Sequence, residues 1–153
     1  MTWCFEPMTA AHAAAIAAWR YPGVYGFYDL DRDPEDLAEF MDPGSWEDVY
    51  FAVLGHDGAL AGFFSFSGDA GVVELGLGLR PDLVGKGLGA SFVSAGLQYA
   101  RQAYRAEAFR LCIAAFNRRA IAVYKRLGFE TTRSFRQQTN GGSHPFIEMQ
   151  RAA

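Results

Sequence analysis

The segment from Val72 to Ser91 constrains the fold of this chain more than any other part of the sequence. It reads VVELGLGLRPDLVGKGLGAS: an alternating apolar strand, a proline-marked turn, and three glycines that open an apolar-periodic stretch. Glycine lets the backbone come close to a ligand, and the first turn of a helix exposes unpaired N–H groups carrying about half a positive charge. The segment therefore predicts a strand, a turn and a helix whose N-terminus can bind a phosphate group.

Composition bounds the rest of the molecule. The 153 residues, 50% hydrophobic and 15% aromatic, lead us to expect a single globular domain over residues 1–153. A formal charge of -3 with scattered basic residues disfavours nucleic acid or an anionic membrane as a partner. Cys4 and Cys112 lie in apolar segments, so we expect buried free thiols and no metal site. Without a membrane-length apolar run or a signal-like N-terminus, a cytoplasmic location is expected.

The remaining pattern predicts a sheet with helices on its faces. Thr9 and Asn117 are placed to cap helices, Pro34 suits a first helical turn, and Gly128 suits a helix C-terminus. Helices are predicted over residues 10–19, 34–41, 87–104 and 117–127. The third of these carries apolar residues at helical spacing, at positions 88, 92, 95, 99 and 103. Strands are predicted over residues 3–5, 49–54, 59–67, 71–79, 109–115, 129–135 and 145–149.

Two common nucleotide-binding motifs fit the glycine segment poorly. A GxxxxGK[ST] phosphate loop would need glycine at Arg80 and a hydroxyl at Gly87, which excludes it. A dinucleotide fingerprint fits Gly85, Gly87 and Ala90 only loosely. Its acidic residue should close the second strand, whereas Glu107 precedes that strand.

A second motif follows the glycine segment, namely Asn-x-x-Ala-x-x-x-Tyr-x-x-x-Gly-Phe from Asn117 to Phe129. Together with PDLVGKGLG it resembles the GNAT-type N-acetyltransferase superfamily, and the resemblance covers nearly the whole chain. It implies an α+β fold with a central mixed, mostly antiparallel sheet of about six to seven strands flanked by about four helices. It also implies acetyl-CoA as the acetyl donor, held in a V-shaped opening between the strand that ends near Leu79 and the strand over residues 109–115.

The resemblance assigns the coenzyme contacts to a few stretches. Backbone amides near Leu77, Gly78 and Leu79 would bind the pantetheine arm, and Asn117 would both cap its helix and touch the coenzyme. The pyrophosphate cradle carries over to Val84, Gly85, Lys86, Gly87, Leu88, Gly89 and Ala90. The family usually has Arg or Gln where this chain has Val84. Lys86 or Arg80 could supply the missing charge, although Lys86 also fits a solvated loop cation.

Strict alternation on the strand before the turn places Glu74, Gly76 and Gly78 on one face, which would leave a shallow track beside a carboxylate. An ordinary alkylammonium has a pKa of about 10.4, so acetyl transfer at neutral pH needs a base or a desolvating pocket. Glu74 resembles the family's carboxylate in this strand. Two alternatives stay open: the glycines mark a bulge or close packing by a helix, and Glu74 is a strand-end residue paired with an arginine.

Tyr124 resembles the family's general acid, which protonates the departing thiolate. A phenol with a pKa of about 10 can donate to a thiolate whose conjugate acid has a pKa of about 8.5. A backbone amide near Leu77 or Gly78 would stabilise the oxyanion. The alternative is a core tyrosine, because Ala120, Tyr124 and Leu127 share one helix face.

The family's acceptor wall falls on an aromatic loop. Aromatic side chains beside carboxylates suit a cationic amine, so the acceptor is expected to be a small amine, an amino acid or a peptide N-terminus. Alternatively, the aromatics pin the loop to the core while the acids are solvated or cap a helix. The predicted wall residues are Trp19, Tyr21, Tyr25, Phe27 and Tyr28, followed by Asp29, Asp31, Asp33, Glu35 and Asp36.

The three histidines are isolated from one another in the sequence. His12 and His56 are expected at the surface, and His144 is near the predicted acceptor pocket.

A non-catalytic acyl-CoA sensor, or an enzyme transferring a different acyl group, stands as the alternative to an N-acetyltransferase. Edge strands near the C-terminus are consistent with a homodimer.

Overall fold

Local capping signals set the starts of three of the four α-helices described within residues 2–153. The computed structural model describes residues 2–153. The helices are α1 (Ala10–Ala17), α2 (Pro34–Met41), α3 (Gly89–Tyr104) and α4 (Arg118–Arg126). The strands are β1 (Cys4–Pro7), β2 (Tyr50–Leu54), β3 (Leu60–Ser67), β4 (Val72–Leu79), β5 (Ala108–Ala114), β6 (Glu130–Thr139) and β7 (Gly142–Ala152).

The predicted caps are confirmed. The Thr9 hydroxyl accepts a hydrogen bond from His12 N at 3.1 Å, and Pro34 occupies the first turn of α2. Asn117 caps α4 by accepting from Ala120 N at 3.2 Å. Gly128 follows α4 with φ +91°, a left-handed conformation that favours glycine.

Hydrogen-bonded neighbours in the sheet follow the order β1-β2-β3-β4-β5-β7-β6. The pairs β1–β2, β2–β3 and β5–β7 are antiparallel, whereas β4 and β5 are parallel. The α+β prediction with a mixed, mostly antiparallel sheet is therefore confirmed. The last two strands are longer than predicted, because an Asn140-Gly141 turn with both residues at positive φ closes a long hairpin.

The chain forms two compact units. The first unit comprises residues 2–65, 77–84 and 139–142. Its core contains Met8, Ala13, Ile16, Phe40 and Ala52, and partly buried aromatic residues such as Trp19 and Phe63 pack against this core. The expectation of one domain over residues 1–153 stays a prediction.

The second unit comprises residues 66–76, 85–138 and 143–153. Phe109 and Leu111 of β5 are buried, as are Phe129 and Met149. The buried face of α3 is Phe92, Val93, Gly96, Leu97 and Ala100. Of the apolar residues noted at helical spacing in this helix, Phe92 lies on the buried face.

The two cysteines are free, but the prediction that they are buried is wrong because both are exposed. In β5, the alternation of side chains places Cys112 opposite the buried Leu111 and Ile113. Within residues 2–153, no helix combines the length and the apolar character needed to cross a membrane.

Candidate active site

The glycine loop between β4 and α3 has the backbone that its sequence predicts. Gly85 and Gly87 have φ values of +78° and +77°, where a residue with a Cβ is strained. A Cβ on Gly87 would meet no atom within 4 Å, and one on Gly85 would meet only the Arg119 guanidinium, at 3.5 Å. The loop therefore faces open space with its backbone exposed.

The first turn of α3 has no polar side chain to cap it. The cap position is Leu88, which makes no side-chain hydrogen bond to the turn. The helix spans 16 residues, so its first amides carry the partial positive charge of a long helix. An anion held by these amides would satisfy donors that the chain leaves uncapped.

Arg119 is a residue beside this loop that sequence reasoning missed. It lies in the first turn of α4, where the structure brings its guanidinium next to Gly85. Arg118 is in the same turn, which contains no acidic residue. Cations at a helix N-terminus oppose the helix dipole, so two arginines directly after a capping Asn117 were an available signal for an anion nearby.

The two cations proposed to compensate for Val84 differ in their surroundings. Lys86 is exposed in the glycine loop. Arg80 Nε instead contacts Asp82 Oδ1 at 2.6 Å, and its Nη1 donates to the Leu60 carbonyl at 2.6 Å. Arg80 is thus engaged within the first unit, whereas Lys86 lies in the loop and the Arg119 guanidinium lies beside it.

The predicted track along β4 is only partly open. Val73 and Leu75 are buried, as the alternation predicts. A Cβ on Gly78, however, would overlap the ring of Phe63, so this glycine is required for close packing. The close-packing alternative is therefore observed at Gly78, with a strand phenylalanine rather than a helix as the neighbour. The Tyr21 hydroxyl also donates to the Leu79 carbonyl at 2.8 Å.

Glu74 is paired with an arginine, as the alternative for this residue states. Arg110 Nε donates to Glu74 Oε1 at 2.8 Å. The Arg110 side chain is 31% exposed and the Glu74 side chain is 40% exposed. The pair forms because the parallel register of β4 and β5 sets Glu74 beside Arg110. That hydrogen bond raises the pKa of Arg110, which therefore stays charged. Any proton transfer by Glu74 takes place beside this guanidinium.

Tyr124 lies on the buried side of α4. It is 7% exposed, and its ring meets Phe129 edge-on with the centroids 5.8 Å apart. Its neighbours Ala120 and Leu127 on the same face are half-buried. The ring is therefore fixed by the core, while the acid role of the hydroxyl stays a prediction.

The aromatic loop forms two 3-10 turns in the first unit, Gly23–Tyr28 and Leu30–Arg32. Trp19 packs against the core, and Phe27 and Tyr28 contact each other edge-on at 5.5 Å. Burial, with the nearby Asp29 carboxylate adding to it, raises the pKa of Tyr21. These contacts match the alternative in which the aromatics pin the loop.

The acids of this loop are mostly engaged within the first unit. Asp29 accepts from Tyr21 N at 2.9 Å, and Asp31 pairs with Arg20 at 2.8 Å. Asp33 caps α2 with one oxygen and accepts from Thr139 with the other, at 2.9 Å. Glu35 and Asp36 are exposed. The loop acids therefore hold the loop together, and their role in binding an amine stays a prediction.

The histidines differ from each other. His56 is exposed in the β2–β3 turn, as predicted, whereas His12 is half-buried, because its Nδ1 points inward from the first turn of α1. His144 lies half-buried in β7. Among residues 2–153, no group of three or more His, Cys, Asp or Glu side chains is arranged to hold a metal ion.

Comparison with known proteins identifies the family. Residues 3–130 match the sequence profile of the Acetyltransferase (GNAT) domain. The mycothiol acetyltransferase of Streptomyces coelicolor is 34% identical over 137 residues, covering 85% of this chain and 41% of that protein. The mycothiol acetyltransferase of Streptomyces avermitilis is 32% identical over 125 residues, covering 80% of this chain and 38% of that protein. The chain thus spans about two fifths of the length of these relatives.

Solved structures agree on the fold. The spermidine N-acetyltransferase from Vibrio cholerae in complex with CoA and spermine superposes with a TM-score of 0.78 at 15% identity, covering 98% of this chain and 95% of that one. A GNAT-family acetyltransferase from Bacillus anthracis superposes with a TM-score of 0.74 at 15% identity, covering 99% of this chain and 95% of that one.

The fold and the profile match define a GNAT acetyltransferase domain. The chain belongs to the GNAT acetyltransferase family, which confirms the resemblance seen in its two sequence motifs.

Proposed function

We propose that the chain transfers an acetyl group from acetyl-CoA to a primary amine of a small molecule, an amino acid or a peptide N-terminus, by direct attack in a ternary complex. The observation that carries the proposal is the glycine loop at the uncapped start of α3, with the Arg119 guanidinium beside it. Backbone donors, a helix dipole and a cation there suit the pyrophosphate of a coenzyme.

In this proposal the coenzyme's pyrophosphate is held by the backbone of Val84–Ala90. Lys86 and Arg119 supply the charge that Val84 does not, and Asn117 touches the coenzyme near the start of α4. The pantetheine arm follows Leu77, Gly78 and Leu79. A carbonyl oxygen has two lone pairs, so Leu79 can accept a second hydrogen bond beside that of Tyr21.

Glu74 takes the amine proton, directly or through a water, and Tyr124 protonates the departing thiolate. A substrate ammonium must lose a proton before it can attack, so a carboxylate on the way to the thioester contributes to the rate. A backbone amide near Leu77 or Gly78 stabilises the oxyanion. Trp19, Tyr21, Tyr25, Phe27 and Tyr28 form the proposed acceptor wall.

The names of relatives support an acetyltransferase with an amine acceptor. One solved neighbour acts on spermidine and was crystallised with CoA and spermine. The alternative, a sensor that binds an acyl-CoA without turnover, is favoured by Val84, which lacks the family's usual polar side chain, and by the ion pair between Arg110 and Glu74. A different acyl donor and a homodimer through edge strands both stay predictions.

A thiol-release assay separates these functions. The protein is mixed with acetyl-CoA and a panel of polyamines, aminoglycosides, amino acids and short peptides, and free CoA is measured over time. If the protein is an enzyme, the rate of CoA release increases with the concentration of one class of amine. A sensor binds acetyl-CoA in calorimetry and releases no CoA with any amine, which would contradict the proposal.

A further inference from the structure

One face of the sheet in the second unit carries two ion pairs around an exposed thiol. We call it the paired-charge face and define it as Glu74, Arg110, Cys112, Arg133 and Glu148. The register sets Arg110 of β5 beside Glu74 of β4, and Cys112 of β5 opposite Glu148 of β7. Because side chains two residues apart on a strand share a face, Arg110 and Cys112 point the same way.

The second ion pair is built around Glu148, the one charged residue that is buried among residues 2–153. Its carboxylate accepts from Thr132 Oγ1 at 2.7 Å, from Gln150 Nε2 at 3.1 Å and from Arg133 Nε at 3.2 Å. These hydrogen bonds lower the pKa of Glu148, and the bond from Thr132 has the largest effect. The carboxylate is therefore charged and held in a fixed position.

All four charges act on Cys112. Partial burial raises the pKa of its thiol, the carboxylates of Glu74 and Glu148 raise it further, and the two guanidiniums oppose them. Two carboxylates and two guanidiniums sum to a formal charge of zero on this face. Each carboxylate already contacts an arginine, so a ligand that approaches Cys112 meets both signs of charge.

A face with both signs discriminates between classes of amine. A polyamine brings only positive charge and meets two guanidiniums, and like charges brought together oppose binding. An amino acid brings an ammonium for a carboxylate and a carboxylate for a guanidinium, and arginine binds carboxylates in a two-pronged geometry. The face therefore fits an acceptor that carries both signs.

The ion pair at Glu74 also suits such an acceptor. Arg110 Nε donates to Glu74 Oε1 at 2.8 Å. An acceptor carboxylate would compete for that guanidinium and leave Glu74 Oε1 open to receive a proton from the neighbouring ammonium. A polyamine has no group that could displace Arg110 in this way.

We propose that the paired-charge face binds the amine acceptor and that this acceptor carries a carboxylate next to its amine, as an amino acid does, with Arg110 binding the carboxylate. The proposal rests on the acetyltransferase function and names the class of its acceptor. Arg110 is a specificity-determining residue for that class.

Alkylation of the two cysteines tests the proposal without turnover. Cys4 and Cys112 are both free and exposed, so Cys4 is an internal control on another strand. The protein, saturated with desulfo-CoA to avoid a competing thiol, is treated with iodoacetamide at pH 8.5, and the rate at each cysteine is followed by mass spectrometry. The ligands are the amino acids other than cysteine, their carboxamides and spermidine.

We expect at least one amino acid to slow alkylation of Cys112 about threefold or more, whereas its carboxamide and spermidine leave the rate unchanged. The rate at Cys4 should not respond to any ligand. Protection of Cys112 by spermidine or by the carboxamide as strongly as by the amino acid would overturn the proposal, as would the absence of protection by every amino acid.

Arg110→Gln should abolish the protection and raise the KM for the amino acid by about tenfold to a hundredfold, the usual value of a charged hydrogen bond, with the KM for acetyl-CoA unchanged. Arg110→Lys should restore part of it. Arg136→Gln is the matched control, because Arg136 binds Ser143 within the β6–β7 hairpin outside the face. Turnover of spermidine but of no amino acid would refute this acceptor class and leave the acetyltransferase proposal standing. Protection of Cys112 by an amino acid without turnover of any amine would refute the acetyltransferase proposal and leave the binding of an amino acid at this face standing.

Discussion

Replacement of Gly87 by Asp separates the proposed coenzyme site from the rest of the fold. Gly87 has φ +77° and open space around its Cα, so a new side chain meets backbone strain but no clash with the protein. That strain costs an L-residue about 1–2 kcal/mol of folding stability. The added carboxylate would lie where the proposal puts a diphosphate.

The repulsion can be estimated from charge alone. Two unit charges about 4 Å apart at an effective dielectric constant of about 20 interact by about 4 kcal/mol. Such a penalty corresponds to roughly a thousandfold loss of affinity. We therefore expect Gly87→Asp to weaken acetyl-CoA binding by about three orders of magnitude in titration calorimetry, while Gly87→Asn, which adds the bulk without the charge, loses much less.

Gly58→Asp is the matched control. Gly58 lies in the β2–β3 turn with φ +79° and open space, so its replacement carries the same backbone strain. Both aspartate variants should lower the free energy of unfolding by a similar amount, and only Gly87→Asp should lose the coenzyme. Acetyl-CoA affinity within threefold of the wild type in Gly87→Asp would refute the placement of the pyrophosphate at this loop.

Four further changes have definite expected outcomes. Tyr124→Phe should lower kcat far more than acetyl-CoA affinity in stopped-time thiol release, and equal losses in both would remove the acid assignment. Arg119→Gln should weaken acetyl-CoA binding by about tenfold in calorimetry, and unchanged affinity would exclude Arg119 from the site. Gly78→Ala should destabilise the fold by about 1–3 kcal/mol in urea unfolding, because its methyl group would overlap the Phe63 ring, and a stability equal to the wild type would contradict that packing. Hydrogen bonds to the Asp33 carboxylate lower its pKa, and the bond from Asp36 N has the largest effect. The stability that the charged carboxylate adds to the fold is therefore present above pH about 4 and is lost as the pH falls below that. Asp33→Ala should therefore unfold more easily at pH 7, the difference should shrink at pH 3, and an equal difference at both would contradict the sign.

Local signals in the sequence were sufficient for the helix caps and for the order of the elements, but not for the full lengths of β6 and β7. Thr9 and Asn117 cap helices, and Pro34 starts one, because each effect depends only on residues within one turn. The glycine loop was predictable for the same reason, since Gly85 and Gly87 need the positive φ they adopt. The family followed from two such local motifs.

Features that depend on distant partners were not predictable. Arg110 reaches Glu74 from 36 positions along the chain, and only the strand register brings the two together. The exposed face of Cys112 depends on which side of β5 the core covers, and hydrophobic content does not reveal that side. In the aromatic loop, Asp33 accepts hydrogen bonds from Thr139 and Asn140, which lie 106 and 107 positions further along the chain, and no local pattern predicts such partners.

The most direct test of the account is the response of the backbone amides to coenzyme. At 16.8 kDa the protein is small enough for assigned proton–nitrogen NMR spectra, in which each amide reports on its own surroundings. Titration with CoA should shift the amides of Val84 to Ala90 at the start of α3 more than any others, and the Arg119 side chain with them. The account would be contradicted if the largest chemical-shift changes occurred at amides outside Val84 to Ala90, or if the spectrum did not change with CoA.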